Sequence, residues 1–244
     1  MSEELKLLNS LFIEVAKIAT FSLIIPILVG TIKWKDFNKP LKVILLFCIL
    51  SLFNALIEQV FYWSTTNYKT FWVPYLNKWN IHNTIFLSIL ALVTEITLLS
   101  WYFSLTIPNQ KIKRIIRLVS IGLLLSVIIN YLFYEGFRVP SVFNDSAVGI
   151  FCFTLPLIHL KVLYHLDSKV VITKNPYFWI ALGLVVYYLI GFFLDFAGKT
   201  VFETDRALFY KISIADNLVY IIGNLFMAIG FYYARYVKYL PQTQ

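Results

Sequence analysis

Glu95 is the residue around which chemistry in this sequence can gather. It sits in IHNTIFLSILALVTEITLLSWYFSL, the run from Ile81 to Leu105, with apolar residues on both sides for several turns. A carboxyl group at membrane depth costs about 2.5–3.5 kcal/mol even on the lenient insertion scale, so it is expected to face a partner or a cavity and not lipid. Thr84, Ser88, Ala91 and Glu95 recur at helical spacing and make one small, polar stripe. Asn54 and Glu58 share a face of the second apolar run, Asn217, Tyr220 and Asn224 share another, and Tyr188, Gly191 and Asp195 make a third. His159 comes within reach of Glu95 if the third and fifth runs are neighbours.

The candidate ligand-binding residues are therefore Glu95, Glu58, Asn54, Tyr188, Asn217, Asn224, Asp195 and His159. Glu95 is expected to be neutral or bonded to His159, and Glu58, closer to water, to be ionised. The competing reading is that Asn and Gln in membrane helices only join neighbours, at about 0.6 kcal/mol per bond. For His159 the competing reading is a satisfied core histidine.

Other chemistries are poorly served. An intramembrane zinc site needs His and carboxylate ligands at one depth. His82 falls at one boundary, and His159 and His165 lie on different faces of another run. A retinal Schiff base needs a lysine in the middle of the last helix, where this sequence has Asn224. No phosphate loop, nucleophile elbow or CxxC is present, so no catalytic residue, cofactor or metal is assigned. Cys48 and Cys152 both fall in apolar runs and read as small core residues, not a disulfide.

The elements that position these residues follow from composition. The chain has 244 residues, 59% apolar and 14% charged, with a mean hydropathy of +0.75. Soluble domains carry about 25% charged residues, so the expected fold class is an all-α integral membrane protein. Seven apolar runs mark a seven-helix bundle in a single domain, residues 1–244: 11–32, 41–63, 81–105, 112–134, 147–166, 177–197 and 216–236. Ala207–Ala215 is semi-polar and reads as an outward extension of the seventh. Pro26 and Pro156 are expected to kink their helices. The amphipathic stretch TFWVPYLNKW within Ser64–Asn80 is expected to lie on the interface or cap the bundle. The acidic start MSEELKLLNS lacks the basic region of a signal peptide, so the first run is expected to be retained.

Of the 21 basic residues, thirteen fall on one side of this frame, among them Lys33–Lys42, Lys111–Arg117 and Arg235–Lys238. The positive-inside rule then puts the N-terminus outside and the C-terminus in the cytoplasm. The net charge of +8 is thereby assigned to topology and anionic lipid, not to nucleic acid.

NPYFWIALGLVVYYLIGF, Asn175 to Phe192, resembles the sixth helix of small bacterial seven-helix membrane proteins found beside, or fused to, sensor histidine kinases. NLVYIIGNLFMAIGFYYA, Asn217 to Ala234, is similar to their last helix. The resemblance implies a sensory or signalling module of the bacterial inner membrane, without a catalytic motif. The chain ends at Gln244 directly after the seventh run, so any signal is expected to pass to a separate cytoplasmic or membrane partner. A small proton-coupled carrier using Glu58 and Glu95 is the alternative, and a lipid-modifying enzyme a weaker one. A small molecule or a lipid is left open as the ligand. The orientation has a direct test: a reporter fused after Gln244 reads as cytoplasmic, and cysteine labels at Asn67 or Ser141 react from outside. Reaction of these two only from inside would reverse the frame.

Overall fold

The computed structural model describes residues 3–79, 84–134, 142–165 and 171–239. His82 and Ser141, used above for chemistry and topology, lie outside the described residues, as do the basic residues Arg138 and Lys169. The described chain is all helical, and six of its helices are long and apolar enough to cross a membrane. In chain order the helices are α1 (Glu3–Ser22), α2 (Ile24–Ile32), α3 (Lys39–Asn67), α4 (Lys69–Trp79), α5 (Ser88–Thr106), α6 (Gln110–Ile129), α7 (Val142–His165), α8 (Pro176–Leu189), α9 (Gly191–Thr204) and α10 (Arg206–Tyr232).

Local sequence sets most of the boundaries. Asn38, Asn109 and Asn175 cap α3, α6 and α8 by accepting from the backbone N–H groups of Leu41, Lys111 and Tyr177, and Asp205 caps α10 by accepting from Leu208. Such caps are worth about 1 kcal/mol each. Pro40 and Pro176 then occupy first-turn positions, where the missing N–H costs nothing.

The first apolar run starts earlier than expected, at Glu3, and breaks at Leu23 into α1 and α2. Pro26 explains the break, because it has no N–H for the Ser22 carbonyl and its ring crowds that turn. The third run is shorter than expected. Its α-helix begins only at Ser88, after a 3-10 turn at Ile85–Leu87. The sixth divides at Ile190, giving α8 only about 21 Å of rise, less than a bilayer core of about 30 Å. Ile190 keeps right-handed helical angles (φ −94°, ψ −37°), and α9 goes on against α7 and α10. The seventh run begins at Arg206, so Ala207–Ala215 belongs to it. The TFWVPYLNKW stretch forms α4, folded back on the end of α3 through Trp72, whose Nε1 donates to Ser64 Oγ at 2.8 Å and whose ring meets Phe61 edge-on.

α10 packs against α1, α2, α8 and α9; α3 packs against α5, and α7 against α5, α8 and α9. The fully buried side chains concentrate at one end of this bundle: Leu41, Ile44 and Phe47 from α3, Leu99, Tyr102 and Phe103 from α5, Ile180 from α8 and Phe231 from α10. This is also the basic end. There Lys33 lies over the Tyr232 ring, Lys39 over Trp101, Lys42 over Trp34 and Lys174 over Tyr236. Asn38 Nδ2 donates to Tyr177 Oη at 2.6 Å and joins the starts of α3 and α8. The outer faces are apolar, as lipid contact requires, with Ile115, Leu118, Ile121 and Leu125 of α6 all exposed.

The α8–α10 contact depends on glycine. A Cβ on Gly183 would stand 2.7 Å from the Gly223 carbonyl oxygen, and one on Gly223 would stand 2.8 Å from that of Gly183. Membrane helices approach this closely only through small residues. Gly183→Val is therefore expected to lower the melting temperature in detergent, with a loss of about 1–3 kcal/mol or more from overpacking. Gly122→Ala, with nothing within 4 Å of the new carbon, leaves it unchanged or raises it. Equal melting of the two variants would contradict the packing described.

Candidate functional site

The second half of α3 is built differently from its beginning. From Leu41 to Cys48 it buries six residues, whereas none of its residues from Ile49 to Asn67 is fully buried. The helices separate there around a cavity of about 230 Å³ between α3, α5, α8 and α10. Ser51, Asn54, Ala55 and Glu58 line it from α3, Leu87, Ser88, Ala91 and Glu95 from the start of α5, and Tyr187 and Tyr220 from α8 and α10. The two carboxyl groups differ in setting: Glu58 is exposed and Glu95 is half-buried.

Hydrogen bonds join α3 to the α5 side of the cavity in both directions. Thr84 Oγ1 donates to Glu58 Oε1. Asn54 Nδ2 donates to Thr94 Oγ1 at 3.1 Å, and that hydroxyl donates to the Leu90 carbonyl at 2.7 Å. Ser88 shares a short hydrogen bond with Tyr131, a buried residue carried by a π-turn at Asn130–Tyr134 that ends α6. π-turns concentrate at functional positions because they re-aim a side chain, and this one delivers a hydroxyl to the cavity wall. The Tyr187 and Tyr220 rings lie with centroids 4.2 Å apart. Glu95 lies close enough to Tyr187, Tyr188, Tyr220 and Cys152 to act on each electrostatically.

Toward the basic end the cavity has a floor. Phe47, one turn before Ser51, meets the Tyr187 ring edge-on at 6.4 Å. Cys48, Ile96, Leu99 and Leu184 are all fully buried at this level and below.

Of the eight residues read from the sequence, the structure brings Asn54, Glu58 and Glu95 together on the cavity wall. Tyr188 is buried behind it, beside Glu95 and Cys152. Asn217 is absent from the lining: its Nδ2 donates back to the Ser213 carbonyl of its own helix at 2.7 Å. Asn224 is also elsewhere, fully buried, with Nδ2 donating to Ser22 Oγ at 2.7 Å. Ser22 Oγ in turn donates to the Ala19 carbonyl at 2.6 Å, so Asn224 ties α10 to the break between α1 and α2. The Asp195 side chain lies outside the described residues.

His159 does not bond Glu95. It lies in a deeper layer, 1% exposed, among the rings of Tyr102, Phe103 and Tyr177. The helical rise explains this, since Tyr102 and Phe103 lie two turns past Glu95 on α5, about 10–12 Å along the axis. Neither ring nitrogen has a hydrogen-bond partner among the described residues, so His159 is not the satisfied core histidine of the competing reading either.

Ser88 and Ala91, on the Glu95 stripe, and Tyr220, on the Asn217–Asn224 face, also line this wall, and Tyr187 joins them from α8. Ser51 was missed; its spacing to Ala55 and Glu58 on one helical face was the available signal. No group of three or more His, Cys, Asp or Glu residues able to hold a metal occurs among the described residues. The sequence matches no protein-family model, and no curated protein or solved structure matches it significantly.

The cavity and its floor make an accessibility prediction. Ser51→Cys and Ala91→Cys react with a small, neutral thiol reagent, whereas Leu99→Cys stays inert. The native Cys48 and Cys152, both fully buried, supply an unreactive background. Reaction at Leu99→Cys at the rate of Ala91→Cys would remove the floor.

Proposed function

We propose that this chain is a sensor or regulatory protein of the cytoplasmic membrane that binds a small polar ligand in the α3–α5–α8–α10 cavity and passes the signal to a separate protein. In this reading α8 and the start of α9 act as one tilted span, giving seven in all, with the N-terminus outside and the basic end in the cytoplasm. The observation that carries it is the one-sided cavity. Polar groups gather between Ser51 and Glu58 on α3, and apolar packing closes the bundle below Ile96 and Phe47. A sensor needs a pocket on one side and a sealed core on the other, whereas a carrier needs polar groups to reach both.

The output surface in this reading is the basic end. A groove of about 480 Å³ at the start of α6 is lined by Gln110, Lys111, Lys113, Arg114, Ile115 and Arg117. It suits an acidic protein surface, in competition with anionic headgroups that contribute about 1 kcal/mol per basic residue. The resemblance to seven-helix proteins associated with histidine kinases points to the same class of partner.

The carrier remains the second reading, on one observation. His159, the Tyr102 hydroxyl, Ser100 and Ser104 are buried below the floor with side-chain polar atoms that have no hydrogen-bond partner among the described residues.

Reconstituted liposomes separate the two. The sensor shows no sustained proton or solute flux, and filling the cavity with Ala91→Phe changes the labelling rate of a Lys113→Cys probe at the basic end about threefold or more. Sustained flux that disappears in Glu95→Gln would establish the carrier and overturn the sensor.

A further inference from the structure

Resting on the reading of the cavity as a ligand site, we propose that its occupant is a small organic ammonium cation. Its charge lies between Glu58 and Glu95, and its carbon groups lie against Tyr187 and Tyr220. Among the described residues the lining contains two carboxyl groups and no Lys, Arg or His. Lys17 is an exposed side chain on α1 and takes no part in the lining. In a site partly shielded from water, a wall whose formal charges are all acidic favours cations and repels anions more strongly than it would in bulk solvent.

The direction of the hydrogen bonds sharpens the choice. Three donor groups beside the cavity act within the protein: Thr84 on Glu58, Thr94 on Leu90, and the Asn54 amide nitrogen on Thr94. An occupant that donates a hydrogen bond to the Asn54 amide oxygen, or carries positive charge beside the two carboxyl groups, matches this wall.

The tyrosines select an organic cation over a bare ion. Aromatic faces attract ammonium groups, and Tyr187 and Tyr220 present a ring pair at one wall. A metal cage needs more ligands: octahedral magnesium or calcium sites take six or more oxygens at close range, and no cluster of three acidic, His or Cys groups occurs among the described residues. The volume of about 230 Å³ equals roughly seven waters at about 30 Å³ each, which is room for a compact amine. The ammonium can belong to a soluble amine or to a phospholipid headgroup, because Glu58 at the mouth is flanked by the exposed Phe53, Leu56 and Val60.

The test uses the full chain in nanodiscs of phosphatidylglycerol, titrated calorimetrically with choline and with its neutral carbon isostere. Choline is expected to bind at least about tenfold more tightly than the isostere, and Glu95→Gln and Glu58→Gln each to weaken it about tenfold. Melting of the empty variants separates loss of binding from loss of fold. In a second measurement, Ala91→Cys reacts about tenfold faster with the cationic trimethylammonium-ethyl methanethiosulfonate than with the anionic sulfonatoethyl reagent. Exchanging the lipid for phosphatidylethanolamine assigns the source. Weaker choline binding with retained phosphatidylethanolamine in native mass spectra points to the headgroup, and unchanged binding to the soluble amine.

Equal binding of choline and isostere, or equal rates for the two reagents, would overturn the cation. If the isostere then binds and Ala91→Trp abolishes that binding, the pocket reading stands alone. If neither probe binds and Ala91→Cys is inert to both reagents, both readings fall.

Discussion

A carboxyl group carried on a membrane-crossing helix has to be surrounded by groups that can hold it, and Glu95 imposes that requirement on four helices at once. Its electrostatic neighbours come from α7, α8 and α10, and the cavity beside it is lined from α3 as well. Lipid supplies neither hydrogen bonds nor counter-charge, so the cost of about 2.5–3.5 kcal/mol can be reduced only from within the bundle. The polar wall, the looser packing of α3 in its second half and the Tyr187–Tyr220 pair are all consistent with meeting that demand.

The same demand divides the molecule lengthwise. At the basic end α3, α5, α8 and α10 close on Phe47, Tyr102, Phe103, Ile180 and Phe231, and asparagine caps with first-turn prolines fix where α3 and α8 begin. Gly183 and Gly223 let α8 and α10 touch along their backbones just below the cavity. A tightly packed half is thus joined to a more open one, and among the described residues the buried polar atoms of Ser100, Tyr102, Ser104 and His159 lie inside the packed half.

Much of this was legible in the sequence. Apolar runs marked the helices because a bilayer demands length and uniform hydrophobicity together, and the lone glutamates marked the cavity because so few residues can be polar there. What escaped has physical reasons. The kink expected at Pro26 is a full break at Leu23, whereas the break at Ile190 has no proline after it, so the apolar run there was read through. Periodicity places residues on the face of one helix and says nothing about which neighbour that face meets. Asn224 therefore looked like a pocket residue when it is the tie that satisfies Ser22. The conditional pairing of His159 with Glu95 fails although α5 and α7 are neighbours, because about 10–12 Å of helical rise separates their layers. Ser51 was overlooked because serine is unremarkable in any composition, and only its register with Glu58 gives it meaning.

The central claim is that a polar cavity stops at an apolar floor. The most direct measurement is a lipidic-mesophase crystal structure at a resolution that shows ordered water. The account predicts water or ligand density bounded by Glu58, Glu95, Tyr187 and Tyr220 and ending above Ile96 and Phe47. A continuous file of water from Glu95 past Ser100 to His159 and on to the basic end would contradict it.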